Sequence, residues 1–239
     1  MPIVGSATTS PSSVTRSPAS EAALSRADRQ AIVEILRAAG YGTKHFIIDT
    51  AKSGQPTRWL DTQLARDPNL WNRSWVVEQL GRRTSDSAAA VALARAARSA
   101  DHYRVRAEAS FALGDFPAPL ALPALEAAAR DTSAAVREAA VLALGSVGGD
   151  RARTLALASW KADSSYEVRA RALSVLARLD SLGSKDLVLA GLTTPSYRNV
   201  IQTAAISAAA SVSDSAIVNG LEKILGDQEL AAKVKPFVD

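Results

Sequence analysis

Cysteine is absent from this 239-residue chain. That excludes disulfides and every zinc site built on thiolates. Histidine is nearly absent: only His45 and His102 occur, 57 residues apart, so no helical turn carries a metal-binding pair. Aromatic residues make up 5% of the chain, too few for a base-stacking surface of any length. No apolar run approaches the roughly 20 residues that span a bilayer. Charge of one sign is not concentrated either: 28 basic residues stand against 24 acidic ones, for a net charge of +4. No Lys/Arg block marks a nucleic-acid arm. A Ser-His-Asp signature, a G-x-S-x-G elbow and a phosphate-binding glycine loop are all missing. Gly148-Gly149-Asp150 is glycine-rich, but the strand that a phosphate loop needs does not precede it. No catalytic, metal-binding or cofactor-binding residue is assigned, and no cofactor is expected.

What is present is a repeat. Asp101 opens DHYRVRAEASFALG, and Asp131 opens DTSAAVREAAVLALG. Val105-Arg106 matches Val136-Arg137, Ala109 matches Ala140, and Ala112-Leu113-Gly114 matches Ala143-Leu144-Gly145. Each matched pair lies 31 residues apart. A fixed period of that order marks stacked helical hairpins. The frame is an Asp, four or five residues, an apolar residue followed by Arg, then apolar residues four, seven and eight positions on. Helical periodicity places those on one buried stripe.

Tracing the frame outward gives five copies. The first is degenerate: Asp67, Asn72-Arg73, Val76, Leu80, Gly81. The fourth is Asp163, Val168-Arg169, Ala172, Leu176, and the fifth is Tyr197-Arg198, Ile201, Ala204, Ala205. Pro68 and Thr194-Pro195 read as helix openings, with Asp67 and Thr194 as caps. Second helices are expected at about Ser87–Ala97, Ala118–Ala129, Asp150–Lys161, Ser184–Leu192 and Asp214–Leu225, with prolines breaking the one that begins near Ala118. Gly81, Gly114, Gly145 and Gly148-Gly149 read as left-handed helix ends. Glu229–Asp239 is expected to hold a short closing helix.

Upstream of the array the composition changes. Residues 1–19 are rich in Ser, Thr, Pro and Ala and read as a disordered tail. Residues 20–66 carry a helix ending near Ala39, a short strand at Lys44–Asp49 with no partner, and a connecting helix with Trp59, Leu60 and Leu64 on one side. Residues 67–239 form the array. The expected fold is all-α: a right-handed α-solenoid of about five HEAT-like hairpins, with a short N-terminal helix and one orphan strand. The N-terminus has no charged start followed by an apolar core, so a cytoplasmic location is expected.

Two residue sets stand out. Asp67, Arg73, Asp101, Arg106, Asp131, Arg137, Asp163, Arg169 and Arg198 recur in register and read as a structural ladder, each Arg bonding its own repeat's Asp and loop carbonyls of the next hairpin. Arg82, Arg83, Arg95, Arg98 and Arg104 make the region from 82 to 106 locally basic and form a candidate binding surface for an acidic partner. Trp71, Tyr103, Tyr166 and Tyr197 begin successive first helices and are expected to pack between hairpins. His102 is expected to cap a helix or lie at the surface.

The repeat pattern resembles HEAT repeats in the compact form shared with phycobilin-lyase-like proteins. The order HFIID, WLDTQLARDPNLWNRSWVVEQLG, DHYRVRAEASFALGDF, spanning Lys44 to Ser211, also resembles the C-terminal helical tail of bacterial aminopeptidase N-like zinc metallopeptidases. Their H-E-x-x-H motif and Gly-Ala-Met-Glu-Asn substrate motif are missing, so the resemblance implies a non-catalytic tail. The function expected from it is a scaffold or protein-interaction module with a protein or peptide partner. One alternative is the C-terminal fragment of a zinc aminopeptidase whose catalytic part is encoded elsewhere, which would move the chain to a secreted or periplasmic setting. A second alternative is a HEAT-like nucleic-acid binder.

Overall fold

The computed structural model describes residues 55–210, 212 and 215–226. The expected tail, the helix near residues 20–39, the strand at Lys44–Asp49 and the closing helix at Glu229–Asp239 lie outside the described residues. Among the described residues every regular element is helical.

Helix α1 (Thr57–Arg66) precedes five hairpins. Their first helices are α2 (Leu70–Gly81), α4 (Tyr103–Ala112), α6 (Ala134–Val147), α8 (Tyr166–Leu179) and α10 (Val200–Ala209). Their second helices are α3 (Ser87–Ser99), α5 (Ala118–Ala128), α7 (Gly149–Ala162), α9 (Lys185–Thr193) and α11 (Ser215–Gly226). The first helices lie side by side in chain order, α4 along α6, α6 along α8 and α8 along α10. This is an all-α solenoid in which each hairpin covers the apolar face of its neighbour.

The frame residues make the core. Val105, Ala109 and Leu113 are fully buried, as are Val136, Ala140 and Leu144 in the next copy. Val168, Ala172 and Leu176 repeat the stripe in α8, and Ile201 and Ala205 in α10. Each Val or Leu so covered stabilises the fold by roughly 1.5–3 kcal/mol. The buried side chains form two clusters that meet inside one hairpin. Ala140, Leu144 and Leu155 close the first, while Val141, Ala156 and Trp160 open the second. Leu60 and Leu64 of α1 join the first cluster, so the connecting helix shares the core of the array.

Several local expectations change. Asn69, not Asp67, caps α2, accepting from Trp71 N–H at 2.9 Å, and Pro68 lies before the helix. Asp67 instead accepts from Asn69 N–H at 2.8 Å and folds the turn that leads in. Helix α5 runs unbroken: Pro119 sits in its first turn, where no N–H is needed, and Pro123 is carried inside it. The fifth first helix begins at Val200, because Arg198 and Asn199 take positive φ in a 3₁₀ turn. Neither Thr194 nor Pro195 caps it; Ser196 Oγ accepts from Ile201 N–H at 3.0 Å.

The glycines also play a different part. Among the described glycines only Gly148 and Gly149 adopt positive φ, in the turn from α6 to α7. Gly81, Gly114 and Gly145 are sites of close approach between first helices. A Cβ on Gly114 would lie 3.1 Å from the Ala143 Cα, and one on Gly81 would lie 3.2 Å from the Ala112 Cβ. Small residues at those positions let neighbouring helix axes come together.

Candidate functional site

The loops opening successive hairpins are tied by arginine. Arg106 sits in the first turn of α4 and reaches forward to the next repeat. Its Nε and Nη2 donate to the two oxygens of Asp131 at 2.7 and 3.0 Å, and its Nη1 donates to the carbonyls of Ala100 and Asp101 at 2.9 and 3.2 Å. Arg137 repeats this against Asp163 at 2.7 and 2.9 Å, with Nη1 on the Asp131 and Thr132 carbonyls. The direction is the reverse of the sequence expectation: each Arg takes the following repeat's Asp and its own loop's carbonyls. The carboxylates are also used locally, Asp131 accepting from Ser133 N–H and Asp163 from Ser165 N–H, both at 2.8 Å.

These pairs are nearly dry, with side chains 15% and 12% exposed at Arg106–Asp131 and 14% and 6% at Arg137–Asp163. The Arg106 hydrogen bonds hold the Asp131 carboxyl below the ordinary range. At Asp163 burial pushes upward, and the Arg137 and Ser165 hydrogen bonds more than offset it, so its carboxyl also lies low. The guanidinium groups of Arg106 and Arg137 are correspondingly raised by their carboxylate partners.

The ladder fades at both ends. Arg73 meets Asp101 through one nitrogen at 2.6 Å, Asp101 is 81% exposed, and the buried Arg73 Nε has no partner. Arg169 has no acidic successor. Its Nε donates to the Trp160 carbonyl at 3.1 Å, and its guanidinium lies over the Trp160 ring. Arg198 is exposed in the 3₁₀ turn.

The five arginines between 82 and 104 do not share one set of surroundings. Arg82 pairs with Glu78 at 2.5 Å, and Arg95 pairs with Asp61. Arg83 donates to Thr57 Oγ1 at 2.7 Å and to the Gln55 carbonyl at 2.6 Å, fastening the α2–α3 turn to the start of α1. Arg104 donates to Glu108 at 2.7 Å and lies 4.5 Å over the Trp71 ring. Arg98 is exposed on α3. His102 caps α4, its Nδ1 accepting from Arg104 N–H at 3.2 Å. Trp71, half-exposed, meets the next hairpin through Arg104, while Tyr103, Tyr166 and Tyr197 stand exposed at the helix starts.

One depression was not anticipated from sequence. It is a groove of about 720 Å³ across the first helices α2, α4 and α6. Val77, Ala107, Phe111, Ala139 and Leu142 give it an apolar floor, and Glu78, Glu108, Asp115, Glu138 and Arg82 also line it. Phe111 is 56% exposed. It falls off the Val105–Ala109–Leu113 stripe, and an aromatic ring on the uncovered side of a helix is the signal that sequence reasoning passed over. A second depression of about 300 Å³ continues along the same face across α6, α8 and α10. The Arg171–Glu138 pair, at 3.0 Å, stands between them. Among the described residues no group of three His, Asp or Glu is placed to hold a metal ion, and no helix is long and apolar enough to cross a membrane.

A family model described as HEAT repeats matches residues 91–164. No curated protein matches the chain. Among solved structures, the chain is similar to the complex of CpcE and CpcF of phycocyanin lyase from Nostoc sp. PCC7120, with 23% identity, a TM-score of 0.50, and coverage of 72% of this chain and 71% of that one. It is also similar to a designed armadillo repeat protein in complex with the peptide (KR)4, at 15% identity and a TM-score of 0.42, over 77% of this chain and all of that one. Human deoxyhypusine hydroxylase matches at 16% identity and a TM-score of 0.37, over 89% of this chain and 95% of that one. At 23% identity the likeness to the CpcE–CpcF complex concerns the fold alone, and with the HEAT-repeat match it agrees with a HEAT-like helical array.

Proposed function

We propose that this chain is a non-catalytic HEAT-repeat module that binds a partner protein or peptide along the face formed by its first helices. The observation that carries this is the groove across α2, α4 and α6, whose floor holds a large exposed aromatic side chain, Phe111. Exposed apolar surface gathered in a concavity and rimmed by polar groups marks an interaction site. The ladder helps keep that face in shape, since Arg106 ties α4 to the loop that opens α6 and Arg137 ties α6 to the loop that opens α8.

The direct test compares affinity capture by the full-length protein with capture by Phe111→Asp, the two matched for melting temperature. The proposal expects a partner retained by the first and lost by the second. A partner retained equally by both places the interaction elsewhere.

The finer reading, a tail region of an aminopeptidase N-like protein, rests on the resemblance over Lys44–Ser211. The family model and the neighbours named above do not include a peptidase. An upstream open reading frame carrying H-E-x-x-H would support it, and an upstream region without one would remove it. Nucleic-acid binding is disfavoured by the groove, which is lined by four carboxylates and one guanidinium.

A further inference from the structure

Resting on the proposed first-helix face, we infer that the segment docking in the groove carries a large apolar anchor flanked by lysine or arginine. Three observations converge on that chemistry. The floor is apolar, and Phe111 in its lining is 56% exposed. The lining reverses the sign of the whole molecule: the chain carries +4, while Glu78, Glu108, Asp115 and Glu138 face Arg82 alone in the groove.

The third observation is how the charges are used. Arg82 is held by Glu78, Arg104 by one oxygen of Glu108, and Arg171 by Glu138. What remains uncommitted is negative. Asp115 is exposed and makes no ion pair among the described residues. The second carboxylate oxygen of Glu108 is buried without a partner. A buried oxygen left without a donor is costly, and an incoming ammonium or guanidinium group supplies one. That oxygen is itself buried, but the Glu108 side chain lines the groove and is 30% exposed, so a turn of its carboxylate brings the oxygen to such a group. An anionic segment would meet four carboxylates and gain no free cation in return, which selects against it.

The test uses the full-length chain and three labelled synthetic peptides read by fluorescence polarisation. One has leucines at helical spacing with lysines elsewhere. The second replaces those lysines with glutamate, and the third keeps the lysines but replaces the leucines with serine. The inference expects the Leu/Lys peptide to bind about tenfold or more tighter than either of the others. It expects Phe111→Ala to weaken that binding about fivefold, and Asp115→Lys to narrow the gap between Leu/Lys and Leu/Glu, since an exposed charge tunes partner choice. Circular dichroism melting establishes that both variants are folded.

Equal binding of Leu/Glu, still lost in Phe111→Ala, overturns the charge assignment and leaves the groove as the interaction face. Equal binding of Ser/Lys overturns the apolar anchor. Binding of no probe overturns the inference, while the capture experiment with Phe111→Asp decides the proposed function separately.

Discussion

Replacing Asp131 with alanine takes two carboxylate bonds from Arg106, whose side chain is only 15% exposed in the intact pair. Removing one partner of a nearly dry pair typically costs about 3–5 kcal/mol, because the remaining charge stays desolvated. Asp101→Ala removes the same residue type from the same place in the frame, yet that carboxylate is 81% exposed. The Arg73 it leaves behind is covered too, at 11% exposed, but loses one carboxylate contact rather than two, so the loss is expected to be smaller than for Asp131→Ala. Urea unfolding of the two variants checks this contrast; equal losses would mean that the ladder position, not the number of carboxylate contacts, sets the energy. The same carboxylates predict acid lability. Asp131 and Asp163 lie below their usual value of 3.8 when folded. Their stabilisation is therefore complete above that value and is lost as pH falls through the lowered folded values. The urea midpoint is expected to fall once the pH drops below about 4, and to fall less steeply in Asp131→Asn. An Asp131→Asn slope identical to that of the unaltered protein would contradict the assignment.

At the scale of the element, the close approach of first helices depends on side-chain size. A Cβ built on Gly114 would lie 3.1 Å from the Ala143 Cα, so a branched side chain there has no room. Gly114→Val is expected to destabilise by about 1–3 kcal/mol through overpacking, despite valine's better helix propensity. A melting temperature unchanged by Gly114→Val would show that the helices separate freely. The same glycine illustrates what sequence can and cannot give. The bounds of α3, α5 and α7 were legible within about two residues, because a 3.6-residue apolar period and flanking loop residues act locally. A glycine after a periodic run reads equally well as a left-handed helix end or as a contact site, and only the neighbouring hairpin decides. The direction of the arginine pairing was hidden for the same reason: register alone cannot tell whether Arg106 turns back to Asp101 or forward to Asp131. Phe111 was visible as an off-stripe aromatic, but the groove around it takes three helices to form, and no single repeat contains it.

At the scale of the molecule, stability is shared between neighbours rather than held in one centre. The two buried clusters meet in the α6–α7 hairpin, which lies between the better-formed rungs of the ladder. In such an array protection is expected to be highest in the middle and to fall toward the terminal hairpins. A docked segment spanning α2, α4 and α6 would add to this, because a ligand that binds only the native stack stabilises it by mass action. The central claim is that the arginine–aspartate rungs couple adjacent hairpins into one presenting face. Native-state hydrogen exchange on the full-length chain and on Arg137→Ala tests it most directly. The account predicts that protection falls together in α6 and α8, on both sides of the seam that Arg137 closes. Protection lost in α6 alone, with α8 unchanged, would contradict it.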